Sequence, residues 1–464
     1  MHHPVDRGKV FDFDLPWEGP LSNYAMVFRD GNKWRMYYRG ARQGMQEGEP
    51  KSSNICYAES TDGLHWIKPE LSIHELAGTK ENNVVHLGPG TAGGWYCFRD
   101  DNPDTPAEHR YKALSKFNLS YGGPLGVMVS ADGFHWKWLR EEPVITMGPL
   151  DSLNTARWDP RLKKYVAFVR NFVSKSKGPN SPPENETEGA KPFYVDSDRY
   201  RAIALTTSTD FIHWTPQRWL NYGETELFEH LYTNAVTPYF RAPHIYVAFP
   251  MRYVPQRQVI SGWAGSTPAA SEGCSDAVFM SSRDGLHWDR RFLQAFVRPG
   301  LEPKNWTDRN MIISPGIVQT GPGEMSIYYV SHYGHKTSHL RRLSLRLDGF
   351  VSVHAEYQDG QFVTKPLVFA RSRLADTELL LNYATSAVGD IRVEIQNTDG
   401  TPIRGYTLAD AEEIVGDQIE RKVTWKNGSN LANLAGRPVR LRFVMSDADL
   451  YSIRFWSSSI ITPK

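Results

Sequence analysis

One seven-residue motif recurs four times and restricts this chain more than any other feature. Its copies are Ser60-Thr61-Asp62-Gly63-Leu64-His65-Trp66, Ser130-Ala131-Asp132-Gly133-Phe134-His135-Trp136, Ser208-Thr209-Asp210-Phe211-Ile212-His213-Trp214 and Ser282-Arg283-Asp284-Gly285-Leu286-His287-Trp288. The tryptophans stand 70, 78 and 74 residues apart. Each copy reads as a tight turn: Asp accepts backbone N–H groups two residues on, Gly takes a positive φ, and Trp packs between sheets. The third copy has Phe211 in place of Gly, so a different turn geometry is expected there. Leu347-Asp348-Gly349-Phe350 keeps the turn alone and reads as a degenerate fifth copy.

A strand leads into each turn, as in Ile55-Cys56-Tyr57-Ala58 and Ala277-Val278-Phe279-Met280, and two earlier strands precede it. In the first unit these are Tyr24 to Phe28 and Trp34 to Tyr38. Four strands per unit and a period near 70 residues predict an all-β fold, a five-bladed β-propeller followed by a β-sandwich. Residues 1–365 are assigned to the propeller and 366–464 to the sandwich. The second assignment follows from Leu379 to Tyr383, Ile391 to Ile395, Val439 to Phe443 and Tyr451 to Phe455, which alternate with period two about an Asp399-Gly400 turn.

The 464 residues carry 53 Lys+Arg against 52 Asp+Glu, a formal net charge of +1. That balance gives no drive toward nucleic acid or an anionic membrane, and no run of apolar residues is long enough to span a bilayer. Cys56, Cys97 and Cys274 lie too far apart for a CxxC zinc or redox motif. Met1-His2-His3-Pro4 lacks the charged and apolar regions of a secretory signal. The 14 Trp, 22 Tyr and 21 Phe suit both β-sheet and stacking on sugar rings.

Propeller geometry sorts the polar residues. Loops before the first strand and between the second and third open on one face; the other hairpins open on the opposite face. The motif aspartates and Arg99-Asp100-Asp101 therefore fall on the far side as structural groups. The near face collects Trp17, Glu18 and Asn23 at the first unit, and Asn83 at the second. Asp151 and Asn154 open the third unit; Glu226, Phe228, Glu229 and His230 lead into the fourth. Trp306, Asp308 and Arg309 approach the fifth, and Arg170, Arg252 and Asp276 come from loops between second and third strands. Acids flanked by Arg, Asn, Trp and His suit glycoside cleavage, which needs one carboxylic acid and one carboxylate. The long polar insertions, 171–198 and 251–275, rise on this face and would wall a pocket for terminal sugars.

With these features the chain resembles the five-bladed propeller glycosidases, glycoside hydrolase families thirty-two, forty-three, sixty-eight and one hundred and seventeen. The resemblance implies three carboxylates at the inner-strand ends: Glu18 as base or nucleophile, Asp151 orienting substrate, Glu229 as acid. The Asn-Asp-Pro-Asn-Gly, Arg-Asp-Pro and Glu-Cys motifs of the fructosidases are absent, which directs the reading to an exo-acting glycosidase similar to family forty-three. Family one hundred and seventeen would allow His230 as the acid. The resemblance implies a carbohydrate substrate and no required cofactor, and it admits a structural Ca2+. The rival readings are a glycoside phosphorylase, with arginines on phosphate, and a lectin-like propeller with a site at every blade.

Overall fold

The computed structural model describes residues 1–42, 52–76, 78–88, 94–117, 123–176, 198–223, 229–260, 273–370 and 376–457. Among these, five antiparallel sheets of four strands follow one another along the chain. Sheet one is Asn23–Asp30, Lys33–Arg42, Ser52–Ser60 and Val84–Leu87; sheet two is Tyr96–Arg99, Tyr111–Lys116, Leu125–Ser130 and Lys137–Trp138. Sheet three is Thr155–Asp159, Lys164–Ser174, Arg199–Ser208 and Arg218–Trp219. Sheet four is Thr237–Tyr239, Ala242–Ala248, Met280–Ser282 and Trp288–Asp289. The fifth departs from expectation. Val318–Gln319, Glu324–Ser331 and His339–Arg346 are completed not by chain after Leu347 but by the amino-terminal strand Val5–Asp12, which pairs Val5 with Ser344 and Phe11 with Leu340. A sheet built from both ends of the segment gives its last strand a partner and leaves no open edge there.

The repeated motif forms the turn after the third strand in sheets one to four, and its chemistry is the same each time. The Asp Oδ1 accepts two backbone N–H groups at 2.7 to 2.9 Å, and the His Nδ1 lies 2.7 Å from Oδ2. Partial burial disfavours the charged form, but the imidazole and amide bonds outweigh it and hold all four carboxyls below the usual range, Asp284 at about 2. Each turn rests on the preceding sheet. Tyr37 donates to Gly133 O at 3.0 Å, Phe98 packs on Phe211 with centroids 5.6 Å apart, and a Cβ on Gly285 would lie 3.3 Å from Phe168. The series closes: Tyr328 of sheet five donates to Gly63 O of sheet one at 2.6 Å, and Val27 N donates to Pro315 O at 2.8 Å.

The third turn corrects the expectation of a different geometry. Phe211 adopts φ 68°, beside 73° for Gly63, and Asp210 keeps every bond of the other copies. A left-handed non-glycine costs about 1–2 kcal/mol. Here the ring is fully buried against Phe98, Tyr165 and Trp214, which offsets that strain. At Gly63 the same substitution is closed, because a Cβ would stand 2.4 Å from Val318 Cγ1.

Sheet four is interrupted where Pro250 removes a ladder donor. Beyond it His230–Leu231, Met251–Val254 and Cys274–Ala277 form a separate three-stranded sheet. This sheet and the extension of Lys164–Ser174 against Arg199–Ser208 are the stems of the two long insertions. The middles of both insertions, Glu226 and Phe228 lie outside the described residues.

The second compact unit comprises Met1–His3 and Leu345–Lys464, so the division falls at Ser344/Leu345 rather than at 365/366. The reason is pairing: Val353–Ala355 and Gly360–Val363 are both hydrogen-bonded to Arg440–Ser457 in one five-stranded sheet. The alternating runs expected as four strands are two. Thr377–Gln396 and Arg440–Ser457 pair along nearly their whole length, with register shifts between Asn382 and Tyr383 and between Thr385 and Asp390. Leu379, Leu381, Ile391, Val393, Leu441 and Phe443 share one core with Ile414, Trp425, Leu431 and Leu434, so loop residues cover the sheet. Gly400, at φ 91°, makes the expected turn with Asp399. No helix among the described residues is long and apolar enough to cross a membrane.

Candidate active site

Tyrosines and cations from sheets one, two, three and five, and from the chain leading into sheet four, gather where the inner strands begin. A break in register between Asn23 and Met26 and a φ of 52° turn Tyr24 out of the ladder, the kind of bulge that re-aims a side chain. Its hydroxyl lies 3.1 Å from that of Tyr232, which precedes sheet four. Arg39 stacks over Tyr24 at 5.2 Å and donates to Tyr333 of sheet five at 3.3 Å; Arg309 lies 5.0 Å over Tyr333. From sheet three, Arg170 and Arg201 lie 5.4 and 5.3 Å from the centre of the Tyr232 ring, and Arg201 stands 4.9 Å over Tyr253. The second strands of the first three sheets carry a cation at this end: Arg39, Lys116 and Arg170. Lys116 feels both Asp151 and Arg170, and burial lowers its pKa.

Backbone strain gathers at the same end. Tyr24, Ala235, Arg309, Met311 and His332 all have φ between 45° and 61°. Left-handed non-glycine residues cost on the order of 1–3 kcal/mol each and persist only where the surrounding structure holds them.

Two carboxyls stand in this cluster among the described residues. Asp151 is paired with Arg170 and keeps 24% of its side chain exposed. Asp308 accepts from Arg309 Nε at 2.7 Å. Burial pushes its carboxyl above the usual range, against the pull of Arg309 and Arg201. Arg201 is itself lowered by burial and then by Arg170. His230 accepts the Arg201 backbone N–H on Nδ1 at 3.1 Å; burial and the Arg201 charge bring it down to about 4. At neutral pH its proton therefore sits on Nε2 of an uncharged ring, so His230 offers a hydrogen-bond donor and not an imidazolium acid.

Several expected residues have other duties. Glu18 is sealed: its side chain has no exposure, Lys68 donates at 2.7 Å, Leu15 N donates at 3.0 Å and Tyr38 donates to the other oxygen. Burial raises its carboxyl against the Lys68 charge, and with Lys68 and Leu15 N on one oxygen and Tyr38 on the other, Glu18 stands as a structural ion pair and not as the expected base or nucleophile. Trp17 is 5% exposed and gives its indole N–H to Asn83 Oδ1 at 2.9 Å, so it offers no stacking face. Asn83 donates to Tyr38 and Tyr57 O, and Asn154 bonds Leu150 O, Ser152 O and Arg170 N. Both are strand-entry braces. Glu229 accepts from Arg252 at 3.2 Å on one oxygen and from Arg290 on the other, and Arg252 grips Asp276 with two bonds of 2.9 and 2.6 Å. A general acid must present its proton to the leaving group; both Glu229 oxygens face guanidiniums instead, and the network anchors the turn that carries His230 and Tyr232.

Asn23 differs from its counterparts. Asn154, Asn234 and Asn310 each bond neighbouring backbone, whereas the fully buried Asn23 amide has no partner on either atom. Trp306 keeps a half-exposed ring, its N–H held by Gly300 O at 2.9 Å. On the far side Asp100 accepts from Lys112, Thr105 and Tyr165, the structural role expected there. Arg201, Lys116, Tyr24 and Tyr333 escaped the sequence reading; nothing in a strand-forming Tyr or an insertion-end Arg marks it as central. Among the described residues no group of three or more His, Cys, Asp or Glu is placed to hold a metal ion.

No protein-family model matches the chain. Two uncharacterized proteins of Mycobacterium tuberculosis are 30% identical over 142 residues, 28% of this chain. The chain thus spans 45% of the length of the curated relatives it matches. Similar solved structures include a fructofuranosidase from Schwanniomyces occidentalis, 10% identical, covering 97% of this chain and 96% of its own, TM-score 0.41. A family 43 arabinoxylan arabinofuranohydrolase from Bacillus subtilis is 10% identical over 96% of this chain and 98% of its own, TM-score 0.42. An N-acetylgalactosamine deacetylase from F. plautii is 14% identical over 74% of this chain and 95% of its own, TM-score 0.43.

Proposed function

We propose that the chain is a carbohydrate-active enzyme, a glycoside hydrolase that removes terminal sugars at the tyrosine–arginine cluster. In this reading the five sheets are the blades of a β-propeller, the second unit is a curled β-sandwich, and the cluster is the mouth of the central funnel. The observation that carries it is the meeting of side chains from sheets one, three and five and from the turn before sheet four around Tyr24, Tyr232 and Tyr333, with a buried carboxyl among them. Asp308 is the proton donor, because burial favours its protonated form. Asp151, partly exposed beside Arg170, is the second carboxylate. The Tyr24 hydroxyl, raised by burial and by Tyr232, stays protonated and donates to sugar oxygens. Asn23 supplies an amide that a substrate hydroxyl or a water would satisfy, and Trp306 a stacking face.

Removal of terminal sugars is supported by the two insertion stems, which bear Arg170, Arg201, Arg252 and Asp276 and leave the sheets at this end. The lectin reading needs one site per sheet, and the groups that do repeat are bonded within their own turns. Arginine density favours one alternative, phosphorolysis, in which phosphate attacks in place of water.

The test is turnover of aryl glycosides and oligosaccharides, with and without phosphate, by the full chain and by its Asp308→Asn and Asp151→Asn variants. A folded Asp308→Asn protein should lose about 10²- to 10⁴-fold in rate. Full activity in both variants would remove the assignment, and turnover only with phosphate would replace hydrolysis by phosphorolysis.

A further inference from the structure

Two lysines stand four residues apart on the strand Tyr111–Lys116, and both are buried, Lys112 at 5% and Lys116 at 8% exposure. A buried ammonium calls for partners, because taking a charge out of water is costly. Lys112, at the end near the Asp turns, has them: Asp100, Thr105 Oγ1 at 2.8 Å and the Tyr165 hydroxyl at 3.0 Å. Lys116, at the end where the inner strands begin, makes no side-chain hydrogen bond or ion pair among the described residues. It feels Asp151 and Arg170 without touching either.

Gly94, at φ 95°, packs against both sides of that gap. A Cβ there would stand 3.5 Å from Lys116 Cβ, and 3.1 and 3.6 Å from the carbonyl oxygens of Leu150 and Ser152, the residues on either side of Asp151. Glycine thus keeps a side chain out of this place. Asp151 stays on its own side because Arg170 holds one of its oxygens, and Arg170 is fixed in turn by donating Nε to Pro149 O at 2.8 Å. The Asp151 side chain keeps 24% of its surface exposed, so it is open to a ligand. A donor and an acceptor that act on each other without a bond suit a group that bridges them. A hydroxyl both accepts and donates, whereas a carboxylate only accepts and is repelled by Asp151.

We propose that Lys116 and Asp151 together bind one hydroxyl group of the sugar, which accepts an N–H from Lys116 and donates its O–H to Asp151. This rests on the reading of the cluster as the substrate site, and it adds Lys116 as a residue that determines specificity there. A site that commits a charged donor and a charged acceptor to one hydroxyl rejects the analogue lacking it, since both groups are then left unpaired.

The experiment is calorimetric titration of the full chain and of its Lys116→Met variant with the methyl glycosides of glucose, galactose, xylose and arabinose, then with the monodeoxy analogues of whichever binds. Binding is read without turnover, so the assignment of Asp308 does not enter. In the wild type, one deoxygenation should weaken binding at least about tenfold more than the others. In Lys116→Met the parent sugar should bind at least about tenfold more weakly, and that same deoxygenation should then cost less than about threefold, the mark of a direct contact. The same deoxygenation costs in both proteins would overturn the proposal while carbohydrate binding stands. Binding of none of these sugars would overturn the carbohydrate reading and this proposal with it. Melting temperatures without sugar supply the control. Lys116→Met should not lower the melting temperature, because no protein partner is left behind, whereas Lys112→Met strands Asp100 and should lower it. A Lys116→Met protein that melts well below the wild type would make Lys116 a structural lysine and overturn the proposal.

Discussion

The Asp turns and the entries to the inner strands lie at opposite ends of the same sheets, and they use charge in opposite ways. At the turns, Asp62, Asp132, Asp210 and Asp284 each close a local circuit with a hydroxyl, two amides and a histidine three residues on. Their partners are sequence neighbours, so the unit copies itself wherever the motif recurs. At the entries charge acts across sheets as well as within them: Arg170 and Arg201 of sheet three lie by Tyr232, Asp151 acts on Lys116 of sheet two, Arg201 acts on Asp308, and Arg39 of sheet one bonds Tyr333 of sheet five; no two sheets contribute the same set. Repetition belongs to the end that holds the fold together. Asymmetry belongs to the end that a single ligand would occupy.

The sharpest way to break the comparison is to remove one carboxyl from each end. Asp308→Asn should cost about 10²- to 10⁴-fold in turnover of the folded protein. Asp132→Asn should leave turnover unchanged and cost about 1 kcal/mol of stability. A reversal of these two results would exchange the roles of the two ends. Lys68→Met comes next, since it leaves Glu18 buried without its cation; a loss of about 3–5 kcal/mol in denaturant unfolding is expected. Retained stability would show that Glu18 is not the sealed ion pair described above.

Phe211→Gly tests whether the third turn depends on its ring. The loss of a buried Phe, about 3–5 kcal/mol, less the relief of about 1–2 kcal/mol of backbone strain, predicts a variant less stable by about 1–4 kcal/mol. A neutral result would mean that the ring contributes no more than its strain costs.

Acid titration gives the smallest effect, and the two ends should respond in different windows. His230 falls to about 4 from the ordinary 6.5 through burial and Arg201. The unfolded chain therefore takes up that proton first, and stability declines as pH drops from about 6.5 to 4. The turn aspartates are lowered from 3.8, Asp284 to about 2, so their contribution is present above 3.8 and is lost as pH falls through that lower range. His230→Gln should remove part of the first step and leave the second; loss of the second step instead would contradict the assignment.

Much of the fold was legible because its signals are local. Asp-Gly turns, period-two strands and the spacing of four tryptophans depend on neighbours within a few residues, and they gave the sheets and their order. Phe211 was misread because its compensation comes from Phe98 and Tyr165, far away in sequence. The fifth sheet was misread because its last strand comes from the opposite end of the segment, and a strand's edge partner leaves no mark on its own composition. Glu18 read as a catalytic base or nucleophile from its place before the first inner strand. Only Lys68 and Tyr38, brought to it by folding, show that it is enclosed.

The sequence by itself determined the all-β class, the repeat, the Asp turns and the end of the sheets at which chemistry would gather. Tertiary structure decided which side chains meet there: Asp308 and Arg201 in place of Glu18, and tyrosines that look like ordinary strand residues. The reason is physical. Hydrogen bonds across a turn are fixed by spacing along the chain. Burial, charge pairing and the approach of groups from separate sheets are set by long-range packing, which no local pattern encodes.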